Sequence, residues 1–151
     1  MPAGRQGFTL VELLIVMAII STLAALIITS AIIPAQKHSR DTKRKSDLEF
    51  IRGGIETFRA DCGNYPLGSG GRLGSTLVGV GGSASCPATN VYIQNVPVDS
   101  QSPRRAYYYS SDGTTYTICA ALEITPTAVG DVSGCGNCGN SGACNYKVTN
   151  P

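Results

Sequence analysis

Glu12 is the residue of this chain with the clearest chemical task, because it is an acid inside a long apolar run. From Phe8 to Ile33 the sequence contains no Lys, Arg, Asp, His, Asn or Gln, and Glu12 is the single ionisable side chain. A carboxylate near the centre of a bilayer costs about 2.5 to 3.5 kcal/mol, and less near the interface. We expect Glu12 to pair with a cation from a neighbouring chain; a shallow position in the headgroup region is the alternative.

Six cysteines form the second group that can do chemistry. An even number in a small domain favours three disulfides in an oxidising compartment, but six cysteines allow 15 pairings and the sequence does not choose among them. One of these pairings, Cys62 with Cys86, would close a Gly-rich loop. The candidate disulfide residues are Cys62, Cys86, Cys119, Cys135, Cys138 and Cys144.

The C-x-x-C formed by Cys135 and Cys138, with Cys144 close by, also has the spacing of metal ligands. A zinc site needs four good ligands, so Cys119 or Cys62 would have to complete it. Disulfides are the favoured interpretation, and no metal site is predicted. A thioredoxin-like redox role lacks the surrounding βαβ pattern.

Nothing in the sequence predicts an enzyme. His38 is the one histidine, it lies among bases just after the apolar run, and the sequence beyond that run has no paired carboxylates. The Gly-rich stretch lacks the lysine of a phosphate-binding loop. A net charge of +2 is too small to indicate nucleic acid as a partner. We therefore expect no catalytic residues, no cofactor and no nucleic-acid partner.

The apolar run that carries Glu12 is long enough to cross a membrane. About 26 residues at 1.5 Å each reach about 39 Å as a helix, more than the hydrocarbon layer of about 30 Å. Helical periodicity resumes after Pro34, which we expect to kink the helix. We expect the helix to continue to about Ala60, because this segment carries an apolar stripe suited to packing on a sheet. Its members are Leu48, Ile51, Ile55 and Phe58.

Two glycines, Gly53 and Gly54, interrupt this amphipathic segment. We interpret them as a close-packing spot against the sheet, with a helix break as the alternative. The other faces are charged, and Asp41 with Lys45 and Arg52 with Glu56 are spaced as i,i+4 ion pairs. These would be surface pairs.

The region after Asp61 predicts turns and then a small antiparallel sheet. Gly63, Asn64 and Pro66 predict the helix end, and residues 67–85 predict a flexible Gly- and Ser-rich surface loop. Residues 90–103 look irregular. Strand-like runs at 106–110 and 115–122 flank an Asp-Gly turn, a strong hairpin signal, and residues 145–149 can add a third strand.

Gly7 followed by Phe8-Thr9-Leu10-Val11-Glu12-Leu13-Leu14-Ile15-Val16 resembles the processing and methylation site of the type IV pilin family, which includes the pseudopilins of type II secretion. The resemblance extends from Met1 to about Pro66. It implies cleavage between Gly7 and Phe8 by prepilin peptidase and N-methylation of Phe8. It also implies that Glu12 neutralises the terminal amine of an adjacent subunit during polymerisation.

The resemblance implies an α+β fold, in which a long N-terminal helix, half transmembrane and half amphipathic, packs on a small antiparallel β-sheet. A link from Cys119 to the tail cluster of Cys135, Cys138 and Cys144 would resemble the C-terminal disulfide loop of pilins. Asp112 is placed like a calcium ligand of major pseudopilins, but their acidic tail is replaced here by cysteines, which argues against calcium. The implied segments are a leader (1–7), a membrane and filament-core helix (8–34), its amphipathic continuation (35–60) and a β domain (61–151).

The implied partners are further copies of the chain, related minor pilins, prepilin peptidase, the inner-membrane assembly platform and the lipid bilayer. Bases at 37–45 would place the C-terminal side in the cytoplasm by the positive-inside rule. We expect the opposite orientation, because acids are interleaved with the bases, cysteines favour an oxidising side and the motif implies it. A signal-peptidase-like site at Thr29-Ser30-Ala31 is the competing interpretation, and cleavage there would discard Glu12.

Overall fold

The computed structural model describes residues 7–28, 32–125, 130–140 and 142–150, without the side chain of Ser69. The chain divides into two compact units, Met1–Lys37 and His38–Pro151. The described part contains two α-helices and six β-strands, which confirms the predicted α+β class. These are α1 Leu10–Ile27, α2 Ile33–Cys62, β1 Gly68–Gly71, β2 Leu77–Val78, β3 Val91–Ile93, β4 Tyr108–Ser111, β5 Tyr116–Ala120 and β6 Tyr146–Thr149.

Helix α1 forms from the apolar run, as predicted. Thr9 caps it in an extended conformation, and its 18 residues are all exposed within the chain. The prediction that Pro34 kinks the helix and the alternative cleavage site both involve residues 29–31, which lie outside the described residues. Pro34 itself is the second residue of α2 and lies in its first turn, where proline is tolerated.

Helix α2 runs through to Cys62 with one buried stripe. Its four predicted apolar residues are each at most 2% exposed, which confirms the stripe. The residue after the helix, Gly63, has a φ of 82° in the left-handed region and terminates it. Its N–H donates to the carbonyl of Arg59 at 2.8 Å. Asn64 does not share that conformation, so Gly63 alone provides the turn.

The two glycines of α2 play different roles, and the helix is unbroken across both. A Cβ on Gly54 would lie 2.2 Å from Cγ1 of Ile93, whereas a Cβ on Gly53 would meet nothing within 4 Å. The predicted close-packing spot is therefore Gly54 alone. Its partner is the short β3 strand of the two-stranded sheet.

The main sheet is antiparallel with the order β1-β4-β5-β6. Strands β4 and β5 form the predicted hairpin, in which Tyr109 is opposite Ile118 and Gly113 has a φ of 90° in the turn. The predicted third strand is β6, which pairs with β5.

The Gly-rich stretch 67–85 is more ordered than the sequence predicts. It contributes β1 to the main sheet and β2 to a two-stranded sheet with β3, so the prediction of a flexible loop is wrong for these segments. Glycine is needed at position 68 because a Cβ there would lie 2.6 Å from the ring of Tyr109. The irregular stretch 90–103 likewise contains β3.

The core lies between the α2 stripe and one face of β5. Tyr116, Ile118 and Ala120 are each at most 2% exposed and belong to the same cluster as the stripe residues. The opposite face of β5 is also covered, because Cys119 packs there with Cys138 and Cys144. The alternation predicted for β5 is therefore correct for the apolar face, while its second face is buried as well.

Candidate functional site

The start of α1 brings the predicted processing and assembly residues together on the surface. Gly7 is exposed, and Phe8 is 81% exposed. The hydroxyl oxygen of Thr9 accepts a hydrogen bond from the backbone N–H of Glu12 at 3.3 Å, which fixes the first turn of the helix. This cap was not predicted from the sequence, although Thr-x-x-Glu before an apolar run is its known signal.

Glu12 lies in that first turn, where the positive end of the helix dipole favours a carboxylate. Among the described residues no Lys, Arg or His forms an ion pair with it. The carboxylate is therefore exposed at one end of a helix whose other side chains are almost all apolar. This arrangement can accept a positive charge from outside the chain.

Helix α1 is the one described helix long and apolar enough to cross a membrane. Its 18 residues span about 27 Å at 1.5 Å per residue, close to the hydrocarbon thickness of about 30 Å. None of it is buried within the chain, so its apolar side chains can contact lipid or other helices.

A second polar site lies in the unit His38–Pro151 and is centred on Arg44, which is 2% exposed. The Nε atom of Arg44 donates to Asp99 at 2.6 Å, and Nη1 donates to Asp41 at 2.7 Å and to Glu123 at 3.0 Å. Arg40 donates to both oxygens of Glu123 at 2.6 and 2.8 Å. We call these five residues the Arg44 cluster.

The cluster ties α2 to two irregular segments. Asp41 also accepts hydrogen bonds from the backbone N–H groups of Glu123 and Ile124, and Asp99 accepts one from the N–H of Gln101. Two guanidinium groups therefore face three carboxylates, of which Asp41 and Asp99 also accept backbone N–H groups. Charged groups can be buried when ion pairs and hydrogen bonds compensate them in this way.

The cluster shifts the ionisation of its acids. The hydrogen bond from Arg40 lowers the pKa of Glu123 to about 2, with Arg44 adding to the effect and burial opposing it. Burial acts to raise the pKa of Asp99, but the hydrogen bond from Arg44 and the N–H of Gln101 outweigh it, so the pKa is lowered. Both groups remain ionised at neutral pH.

The Arg44 cluster could not be predicted from the sequence, because the five bases at 37–45 look alike on a polar helix. The predicted pair of Asp41 with Lys45 is wrong: Asp41 pairs with Arg44, and Lys45 lies over the ring of Tyr146 at 5.4 Å. The predicted pair of Arg52 with Glu56 is also wrong. Arg52 contacts Glu49, and Glu56 accepts from the hydroxyls of Tyr65 and Tyr116.

The structure joins all six cysteines in disulfides. They link Cys62 to Cys86, Cys119 to Cys135 and Cys138 to Cys144. The first closes the Gly-rich stretch onto the end of α2, and the second ties the tail to β5. Asp112, considered above for calcium, instead accepts hydrogen bonds from the N–H groups of Thr114 and Thr115 at 2.8 and 2.7 Å within the hairpin turn.

These elements define a class of protein: a chain with an exposed, apolar N-terminal helix carrying one acid, followed by a disulfide-bonded α+β unit. A family model described as the prokaryotic N-terminal methylation motif matches residues 2–28. The chain is also similar to the type II secretion system core protein G of Klebsiella pneumoniae, at 28% identity over 93 residues. Both matches support the type IV pilin and pseudopilin family, as the N-terminal residues indicate.

The similarity to the Klebsiella protein covers 62% of this chain and 60% of the relative. No solved structure matches the chain.

Proposed function

We propose that the chain is a structural, non-enzymatic subunit of a type IV pilus or a type II secretion pseudopilus. In this proposal prepilin peptidase cleaves between Gly7 and Phe8 and methylates the new terminus at Phe8. The observation that carries the proposal is helix α1, which lies within the matched methylation motif and exposes its apolar side chains together with one acid that forms no ion pair among the described residues.

The mechanism rests on the charge of Glu12, which no described base of the protomer neutralises. Cleavage would leave an amine at Phe8, and Glu12 lies four residues further along. When apolar helices pack side by side, the carboxylate of one subunit meets the amine of the next, so both charges are compensated in the low-dielectric core. Packing and hydrogen bonding between helices supply the assembly energy.

Repetition of this contact yields a filament, because a heterologous interface whose rotation does not close continues without limit. The partners are further copies, related minor pilins, prepilin peptidase and the inner-membrane assembly platform. Before assembly α1 holds the subunit in the bilayer as a single-pass anchor. The His38–Pro151 unit lies outside the cytoplasm, where an oxidising compartment allows its three disulfides to form. The assembled filament is periplasmic or extracellular.

A second candidate function is a membrane-anchored surface domain that never polymerises. The observation that favours it is the His38–Pro151 unit, which has its own apolar core and three disulfides. This candidate requires no role for the charge of Glu12.

Processing is tested by mass spectrometry of the N-terminus of the protein from cells that contain prepilin peptidase. The proposal predicts a chain that begins at an N-methylated Phe8. The matched control is a Gly7→Val variant, which should remain uncleaved. An intact Met1 in the native chain, or cleavage near Ala31, would contradict the proposal.

A further inference from the structure

Phe50 is the exposed aromatic side chain among the described residues of the His38–Pro151 unit. It lies on α2 outside the buried stripe and is 57% exposed. Ser46 and Gly53, one turn to either side of it, are small and exposed, and a Cβ on Gly53 would meet nothing within 4 Å. The ring of Phe50 therefore projects from the helix surface beyond its neighbours.

The same unit contains an apolar pocket of about 200 Å³ between α2, β4 and the segment that follows β3. The described residues that line it include Ile51 but not the adjacent Phe50. Arg72 and Val98 are exposed where the pocket opens to solvent. The walls are formed by buried side chains, namely Ile51, Tyr107, Tyr109 and Ile118.

The size and chemistry of this pocket suit one phenyl ring. An apolar cavity of about 150 Å³ accepts benzene, whereas pockets for drug-sized ligands measure about 300 to 1,000 Å³. A pocket of about 200 Å³ lies between these sizes and fits a single large side chain. Aromatic side chains that fill such apolar pockets commonly dominate the binding energy of protein–protein contacts.

The charges beside Phe50 and beside the pocket are complementary. Glu49 precedes Phe50, its side chain is 54% exposed, and its contact with Arg52 is long, at 3.5 Å. Arg72, beside the pocket, takes part in none of the ion pairs between described residues. A carboxylate beside the ring and a guanidinium beside the pocket would attract each other across a contact and fix its register.

We propose that Phe50 of one subunit inserts into this pocket of the next subunit, with Glu49 paired to Arg72 across the contact. The inference rests on the proposed function, because it joins neighbouring copies within the filament. It adds a contact between His38–Pro151 units to the contact between α1 helices. The ring and the pocket are different patches of the surface, so each subunit inserts its ring into one neighbour and receives the ring of another. Such a heterologous contact continues along a filament.

Substitution of Phe50 tests the apolar part of the contact. In cells that contain the complete assembly machinery, full-length Phe50→Asp should form about tenfold less filament than the wild type, because it would place a charge in an apolar pocket. The matched control is Leu67→Asp, which changes an apolar residue that is 80% exposed and outside the pocket, and it should assemble normally. Wild-type amounts of filament from Phe50→Asp, or an equal loss from Leu67→Asp, would overturn the proposal.

A charge swap tests the polar part with substitutions of exposed residues. Glu49→Arg and Arg72→Glu should each lower the amount of filament by about threefold or more, because each places like charges together. The double variant restores an opposite pair and should recover about half of the wild-type amount or more. Single variants that equal the wild type, or a double variant no better than either single one, would overturn the contact.

Failure of this contact is distinguishable from failure of the proposed function. Wild-type filaments that are lost in Glu12→Gln but are insensitive to the changes at Phe50, Glu49 and Arg72 would overturn the Phe50 contact alone. A correctly processed wild-type chain that forms no filament would overturn both.

Discussion

Arg44 of α2 and Asp99, 55 residues later, form a buried ion pair in which Nε and Oδ2 are 2.6 Å apart and each side chain is 2% exposed. Removing Arg44 would leave the carboxylates of Asp41, Asp99 and Glu123 with insufficient positive charge. We therefore expect Arg44→Met to lower the free energy of unfolding by about 3 to 5 kcal/mol.

The matched control for Arg44 is Lys43→Met, which removes the same charge from an exposed neighbour on the same helix. Its effect should stay within about 0.5 kcal/mol. Urea unfolding of the full-length chain in detergent with disulfides intact, followed by circular dichroism, measures both. Equal effects of the two substitutions would show that the Arg44 cluster does not stabilise the fold.

Acid should weaken the same cluster. The pKa of Glu123 falls from its ordinary 4.5 to about 2 in the folded chain, so between these values the unfolded chain binds more protons. Stability is therefore fully present above about pH 4.5 and is lost as the pH falls towards about 2. The urea midpoint of Glu123→Gln should be lower than that of the wild type near neutral pH and should fall less steeply in this acid range. Parallel pH profiles for the two proteins would rule out the contribution of Glu123.

The apolar stripe of α2 and the Asp-Gly hairpin could both be predicted, because their periodicities of 3.6 and 2 are local properties of the chain. Arg44 could not, because the acids that bury it come from residues 99 and 123, far away in sequence. Strand β1 could not be predicted, because glycine has a low β-propensity. Glycine is required at Gly68 because the ring of Tyr109, from the paired strand β4, occupies the space of a Cβ, and this is a tertiary contact. Disulfide pairing likewise depends on tertiary position.

The adjacent glycines of α2 offer a matched pair of substitutions. Gly53→Ala adds a methyl group in open space and should raise the free energy of unfolding by up to about 1 kcal/mol. Gly54→Ala forces its methyl group against Ile93 and should lower it by about 1 to 3 kcal/mol.

A double-mutant cycle isolates the cause of the Gly54 effect. In an Ile93→Ala background the side chain that blocks position 54 is truncated, so Gly54→Ala should cost less than it does in the wild type. Urea unfolding of the four proteins measures the coupling. Equal costs in both backgrounds would mean that contact with Ile93 is not the reason for glycine at 54.

The charge of Glu12 is the central element of the proposed assembly. Glu12→Gln keeps a residue suited to the third position of the helix, so the cap that Thr9 forms on the first turn should persist while the charge is lost. Glu12→Asp retains the charge and is the matched control. Mass spectrometry of the N-terminus should find a methylated Phe8 in both variants, which separates processing from assembly.

The most direct measurement is the amount of filament formed in cells that contain the complete assembly machinery, with each variant present at wild-type levels. We predict that Glu12→Gln abolishes filaments and that Glu12→Asp retains part of the wild-type amount, because only a carboxylate can neutralise the amine of the adjacent subunit. Wild-type quantities of filament from correctly processed Glu12→Gln would contradict the account.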